Sequence, residues 1–191
     1  SGANLGREAN VFEFSAWSFD EIHRVLREHD RKAFVSTIEF FPEEGKYHLD
    51  GCAACGFSCE PKQTQRSRGL CVKCHKPLTV GVLSRVDQLG SRDIETVRAQ
   101  KVPYRSIVPL AQVIAEAFEV KSASNPRVRT LYDHLTGTVA NEFALLLETP
   151  IKQIAEATKG TRVAEAIQRV REGRLQIAPG FDGVYGTVKI F

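Results

Sequence analysis

Cys52-Ala-Ala-Cys55-Gly56 and Cys71-Val-Lys-Cys74-His75, with fifteen residues between Cys55 and Cys71, decide the reading of this 191-residue sequence. Two C-x2-C pairs at this spacing predict a structural zinc site, in which two tight turns each present a pair of thiolates to one tetrahedral ion. Gly56 stands where such a knuckle needs positive φ, so that backbone N–H groups turn towards sulfur. His75 holds the matching position, and histidine is a non-glycine type comparatively often found in that region. The competing readings are buried reduced cysteines or paired disulfides. A fifth cysteine, Cys59, rivals Cys52 for the fourth ligand place. Cys52 is favoured because Cys52-Ala-Ala-Cys55-Gly56 closes a knuckle and Cys55-x3-Cys59 does not. With Cys52, Cys55, Cys71 and Cys74 all from the protein, the one expected zinc ion has no open position for substrate. It serves the fold.

The rest of the composition is that of an ordinary globular chain, 42% hydrophobic and 26% charged. No signal peptide and no apolar run long enough to span a bilayer is visible, so the expected compartment is the cytoplasm and no membrane partner is expected. Unpaired cysteine fits a reducing compartment. The chain has no methionine and opens Ser-Gly-Ala-Asn, which reads as a processed chain or a piece of a longer protein. The net charge of +3 is unevenly spread: residues 1–50 are acidic and the remainder basic. Around the cysteines a single acid, Glu60, faces Lys62, Arg66, Arg68, Lys73 and Lys76. That is a modest electrostatic footprint for nucleic acid, or equally a solvated loop.

Local signals predict an α+β fold with a mostly helical C-terminal half. Ser18 with Glu21 is a capping box opening a helix with an Ile22, Val25, Leu26 stripe. Phe34 to Phe41 reads as a strand. Helices are expected over Val82–Leu89, Ile107–Phe118, Pro126–Leu135 behind Asn125, Val139–Leu147, Ile151–Ala157 and Arg162–Arg171, the last two a hairpin turning at Gly160. Short strands near Leu175–Ile177 and Val184–Ile190 flank a glycine-rich loop. Three parts follow: 1–44 (helix plus strand), 45–82 (a zinc-ribbon-like module) and 83–191 (a small helical domain).

Two further places carry possible chemistry. Lys159 and Arg162 flank the hairpin turn, where exposed N–H groups and positive charge suit a phosphate, though a solvated basic face would look the same. Tyr185, among Gly180, Gly183 and Gly186, is placed to stack on a base, or else folds into the core with Phe181. Catalytic constellations are missing: the five histidines are scattered, and Glu39, Glu43, Glu44, His48 and Asp50 read more readily as a solvated acidic loop than as a metal site.

Leu5-Gly-Arg-Glu-Ala-Asn-Val-Phe12 and Thr37-Ile-Glu-Phe-Phe-Pro-Glu-Glu-Gly-Lys-Tyr-His-Leu-Asp-Gly51 resemble the end of the phosphoesterase domain in endonuclease Q and its relatives, of the polymerase-and-histidinol-phosphatase superfamily. Gly69-Leu-Cys-Val-Lys-Cys74, Lys76-Pro-Leu-Thr-Val-Gly-Val82, Arg162-Val-Ala-Glu-Ala-Ile167, Arg171-Glu-Gly173 and Pro179-Gly-Phe-Asp-Gly-Val-Tyr-Gly186 are similar to later parts of that family. The resemblance implies a metal-dependent DNA repair endonuclease cutting beside deaminated bases such as uracil and hypoxanthine. It implies a catalytic barrel, a zinc domain and a helical C-terminal domain. The first zinc position is often histidine in the family, which supports Cys52 over Cys59. The family's catalytic motifs lie upstream of Leu5, so no catalytic residue is carried over, and this chain alone is expected to lack nuclease activity. DNA is the expected partner, through Arg66, Arg68, Lys73, Lys76, Lys159, Arg162 and Tyr185. The alternatives are a zinc-stapled module docking a protein such as a helicase, and an enzyme using the Glu39–Asp50 cluster.

Overall fold

In this computed structural model, residues 8–93, 96–97 and 101–191 are described. Leu5, Gly6 and Arg7 of the first family-like stretch lie outside them, as does the start of the expected 1–44 segment. In chain order the elements are β1 (Ala9–Phe12), α1 (Phe19–Glu28), β2 (Phe34–Glu39), β3 (Asp50–Cys52), β4 (Phe57–Cys59), α2 (Pro61–Arg66), α3 (Val82–Leu89) and β5 (Tyr104–Ser106). There follow α4 (Leu110–Ala117), α5 (Pro126–Thr138), α6 (Glu142–Leu147), α7 (Ile151–Ala157), α8 (Val163–Arg171), β6 (Gln176–Ala178) and β7 (Thr187–Lys189). The expected α+β class is the one found. Contacts divide the chain into two units, Ser1–Phe40 with Gly90–Ile107, and Phe41–Leu89 with Val108–Phe191.

The first unit centres on β2, whose β-branched and aromatic residues suit a pleated surface. β1 pairs with it antiparallel, with a bulge between Val11 and Phe12, and β5 pairs parallel on the other side. Residues 40–103 intervene between the parallel partners, and three-residue β5 carries no periodicity of its own to announce it. Ser18 caps α1 by accepting the Glu21 N–H at 3.1 Å. The capping box is only half formed, because the Glu21 carboxylate turns to the Arg24 guanidinium at 2.7 Å instead. Of the expected stripe, Val25 is buried while Leu26 is exposed.

The second unit holds two cores. Leu110, Val113 and Ile114 of α4 are buried with Val128 and Leu135 of α5, Leu145 and Leu146 of α6, Ile154 of α7, and Val163 and Ile167 of α8. α4 packs on α5 and α8, and α7 on α8. Asn125 caps α5 through its side chain and Pro126 occupies the first turn, as a missing N–H there costs nothing. Two helices start later than the sequence suggests. Ile107 extends the first unit's sheet by donating to Glu39 O at 2.9 Å, so α4 begins only after Pro109. Val139 closes α5, and α6 starts after Asn141, which accepts the Ala144 N–H at 3.0 Å. Arg171 joins these helices to the turn beyond them, donating to the carbonyls of Leu145, Leu146 and Thr149 at 2.7–2.9 Å. The second, smaller core gathers Cys52, Cys59, Cys71 and Leu78 with Phe57 packed against them.

Candidate metal centre and nucleic-acid interface

The smaller core is held open for a metal by two turns. β3 and β4 pair antiparallel with Cys52 opposite Phe57, and a single 3-10 turn over Ala53–Cys55 joins them. Gly56 then takes φ +56°, and its N–H closes on Ala53 O at 3.0 Å. The second turn repeats the device: His75 takes φ +58°, and its N–H reaches Cys71 O at 2.8 Å. A histidine therefore occupies the same left-handed position as a glycine. The four sulfurs of Cys52, Cys55, Cys71 and Cys74 lie within 4.8 Å of one another. Tetrahedral coordination with Zn–S near 2.3 Å requires sulfurs about 3.8 Å apart, and Cys52 Sγ and Cys74 Sγ stand 3.9 Å apart.

Electrostatics fit the same conclusion. Burial pushes the Cys71 thiol up, yet the backbone N–H groups of Lys73 and Cys74, together with the thiols of Cys74 and Cys55, bring the group down to about 7. Cys55 moves the opposite way, to about 12, held protonated by its hydrogen bonds to the Cys74 and Cys52 sulfurs. Four sulfurs this close cannot all ionise unless a cation sits among them. The cluster can hold a metal ion, with every ligand from the chain.

Cys59 is placed elsewhere. It pairs with Asp50 at the far end of the β3–β4 ladder, is buried, and lies with its sulfur 3.3 Å from Thr64 Oγ1. Among the described residues the four cysteines are the one group of metal-ligand type within reach of a single ion. The acidic stretch before them is used differently. Asp50 is 1% exposed, accepting from Gly81 N–H and from Ser84 Oγ, each at 2.6 Å. It fixes the chain entering α3 against β3.

The glycine-rich loop, far away in sequence, locks onto this module. Asp182 accepts the Ala53 N–H at 2.6 Å and the Thr79 hydroxyl at 2.5 Å, bridging the first knuckle to the strand-like return after the second. The ring of Phe181 lies over Gly51, its Cδ2 only 2.5 Å from where a Cβ would stand. Sequence reading missed Asp182, because its partners lie 129 and 103 residues away and nothing local signals them. The Ala53 N–H and then the Thr79 hydroxyl hold its carboxyl below the usual carboxylate range. The stability it contributes is therefore full above the unfolded-state pKa and is lost as pH falls through the lower folded-state value. Asp182→Asn is expected to be less stable than the parent near neutral pH, with the difference shrinking on acidification. Denaturant titrations across pH check this, and a difference that grows towards acid contradicts it.

A family model described as the MJ0043 C-terminal domain matches residues 109–174, the stretch from the Pro109 cap of α4 through α8. MJ0043 of Methanocaldococcus jannaschii is 29% identical over 189 residues, covering 96% of this chain and 23% of its own length. YqxK of Bacillus subtilis is 29% identical over 97% of this chain and 43% of its own. The crystal structure of PfuEndoQ from Pyrococcus furiosus, a lesion-specific endonuclease, matches with TM-score 0.83 and 28% identity. Over nearly its whole length this chain is similar to that endonuclease. A second structure, endonuclease Q with a 27-mer duplex carrying an abasic lesion at the active site, matches with TM-score 0.74 and 29% identity. Each solved structure is matched over 98% of this chain and 46% of its own. The chain thus spans less than half the length of these relatives.

The cations expected to meet DNA fall on two parts of the second unit. Arg66, Arg68 and Lys76 are exposed on the metal module with no ion-pair partner among the described residues, and Arg68 takes φ +54° in the turn that feeds Cys71. Lys73 is exposed too, but its ammonium donates to Cys55 O at 2.9 Å and so also ties the two knuckles together. Lys159 is exposed at the α7–α8 turn, in the left-handed region beside Gly160. Arg162 is largely committed: its guanidinium lies 3.7 Å above the Phe191 ring and 3.5 and 3.8 Å from Glu119 and Glu165. Tyr185 does not fold into the core with Phe181; it is 70% exposed. Among the described residues no helix is long and apolar enough to cross a membrane.

Proposed function

We propose that this chain is the DNA-engaging, non-catalytic part of a metal-dependent endonuclease Q-like repair protein acting beside deaminated bases. The observation that supports it most is the likeness, over nearly the whole chain, to half of an endonuclease Q solved on duplex DNA. Residues up to 44 are taken as the tail of a phosphoesterase domain, and the four-cysteine ion as zinc, chosen by thiolate softness and tetrahedral spacing. Its coordination is filled by the protein, so it organises the module and does not activate water. Asp50, the most buried member of the acidic stretch, is already spent on Gly81 and Ser84. That argues against the reading in which the stretch is a catalytic centre. A helicase partner has no support in the fold or in the relatives.

The contact surface is proposed to be Arg66, Arg68, Lys73 and Lys76 with Lys159, while Arg162 contributes less because its charge is paired. Contacts of this type seat DNA without reading its sequence. Changing Arg66, Arg68 and Lys76 together to alanine is therefore expected to weaken binding on the order of tenfold, equally for two duplexes of unrelated sequence. Fluorescence anisotropy with both duplexes measures it. No loss, or loss on one sequence only, would replace this reading with the protein-docking one.

A further inference from the structure

We propose that Tyr185, Lys46 and Tyr47 form a stacking platform for one unpaired base of a nucleic-acid strand, an inference that rests on the DNA-binding reading above. Tyr185 is 70% and Tyr47 45% exposed, and the Lys46 ammonium is near both, 5.8 Å from the Tyr185 ring centre and 5.4 Å from that of Tyr47. Neither ring is exposed because its backbone is loose. Gly180 N–H donates to Glu43 O at 2.8 Å, Gly183 N–H to Lys46 O at 2.9 Å, Gly186 N–H to Glu44 O at 3.1 Å, and Leu49 N–H to Gly180 O at 2.9 Å. On the other side Tyr47 O accepts the Val82 N–H at 2.8 Å. At Gly180 and Gly186 the two segments approach so closely that a Cβ would strike the Gly45 or the Glu43 carbonyl oxygen.

The loop is thus seated on the segment that carries Lys46 and Tyr47, and it lays half-buried Phe181 over Gly51 while holding Tyr185 out. A ring presented on fixed backbone loses little entropy when a flat partner settles on it. Every nucleobase offers such a face, so the platform takes any base that is not already stacked in a duplex. The ammonium adds charge for the phosphate joined to that base. A phosphate-only surface needs none of this.

The test uses the full chain, metal-loaded, with two labelled duplexes. One carries a single unpaired adenine bulge, and the other the same bulge without its base. Tyr185→Ala is expected to weaken binding of the adenine-bulge duplex roughly tenfold while leaving the baseless one unchanged, and Tyr185→Phe is expected to keep the parent affinity. With 2-aminopurine in the bulge, the parent protein alone reports stacking as a change in fluorescence, independent of any variant. Equal effects of Tyr185→Ala on both duplexes, or no fluorescence change at saturating protein, overturns the platform while leaving DNA binding intact. Absence of binding to either duplex at low salt overturns both readings together.

Discussion

Cys52→Ala is expected to strip the chain of its metal and unfold the module between Asp50 and Thr79, whereas Cys59→Ala leaves both in place. The two cysteines are seven residues apart and both buried, yet their environments differ in kind. Cys52 is one of four sulfurs around a single point, and in small zinc modules the ion's binding free energy, about 10–16 kcal/mol at neutral pH, is itself the folding free energy. Removing one thiolate forfeits most of that. Cys59 loses only a sulfur packed near Thr64 Oγ1, a change of about 1 kcal/mol. Metal content by elemental analysis and a thermal melt of each variant decide it. Retained metal in Cys52→Ala, or its loss in Cys59→Ala, contradicts the assignment. A strong chelator is expected to act on the parent as Cys52→Ala does, loosening this module while the helices around Leu110 and Ile167 persist.

The second large effect is expected at Gly186. A Cβ there would collide with the Glu43 carbonyl oxygen, and would stand 2.6 Å from Gly180 N and 2.8 Å from Ala178 O. All three are backbone atoms that no side-chain rotation can clear, so Gly186→Ala must push the loop off its seat. That costs about 1–3 kcal/mol for the overpacking, and the loop's bonds to Glu43, Lys46 and Glu44 are put at risk with it. Gly183 makes the control. It takes φ +86° with nothing within 4 Å of its would-be Cβ, so Gly183→Ala carries only the left-handed strain of about 1–2 kcal/mol. Hydrogen exchange at Gly180 and Ala53 separates the two. Gly186→Ala should expose both amides, Gly183→Ala should protect them nearly as the parent does, and the reverse order contradicts the steric account.

Features set by near neighbours in sequence were legible before any coordinates. Ser18, Asn125-Pro126, the turn at Gly160 and the left-handed His75 each follow from local rules of caps and turns, and each stands where those rules put it. The hairpin β3–β4 and strand β5 were not legible, because their three-residue strands hold no β-branched residue, unlike the equally short β6 and β7. Nor were the roles that depend on distant partners. Asp50 looked like one more carboxylate in an acidic run until Gly81 and Ser84 closed on it. Arg162 looked free until Glu119, Glu165 and Phe191 gathered round it. The glycines at 180 and 186 read only as members of a glycine-rich loop, but what they supply is room for another backbone.

Whether this chain itself meets phosphate is measured most directly by the salt dependence of its affinity for a plain duplex. Phosphate contacts release counterions, so the logarithm of the affinity is expected to fall linearly with the logarithm of salt concentration, with a slope near −0.9 for each phosphate engaged. The exposed cations on the metal module and at the α7–α8 turn predict a slope of about −3 to −5, reduced by alanine at Arg66, Arg68 and Lys76. A flat line, or no measurable binding at low salt, would contradict the claim that this chain engages DNA.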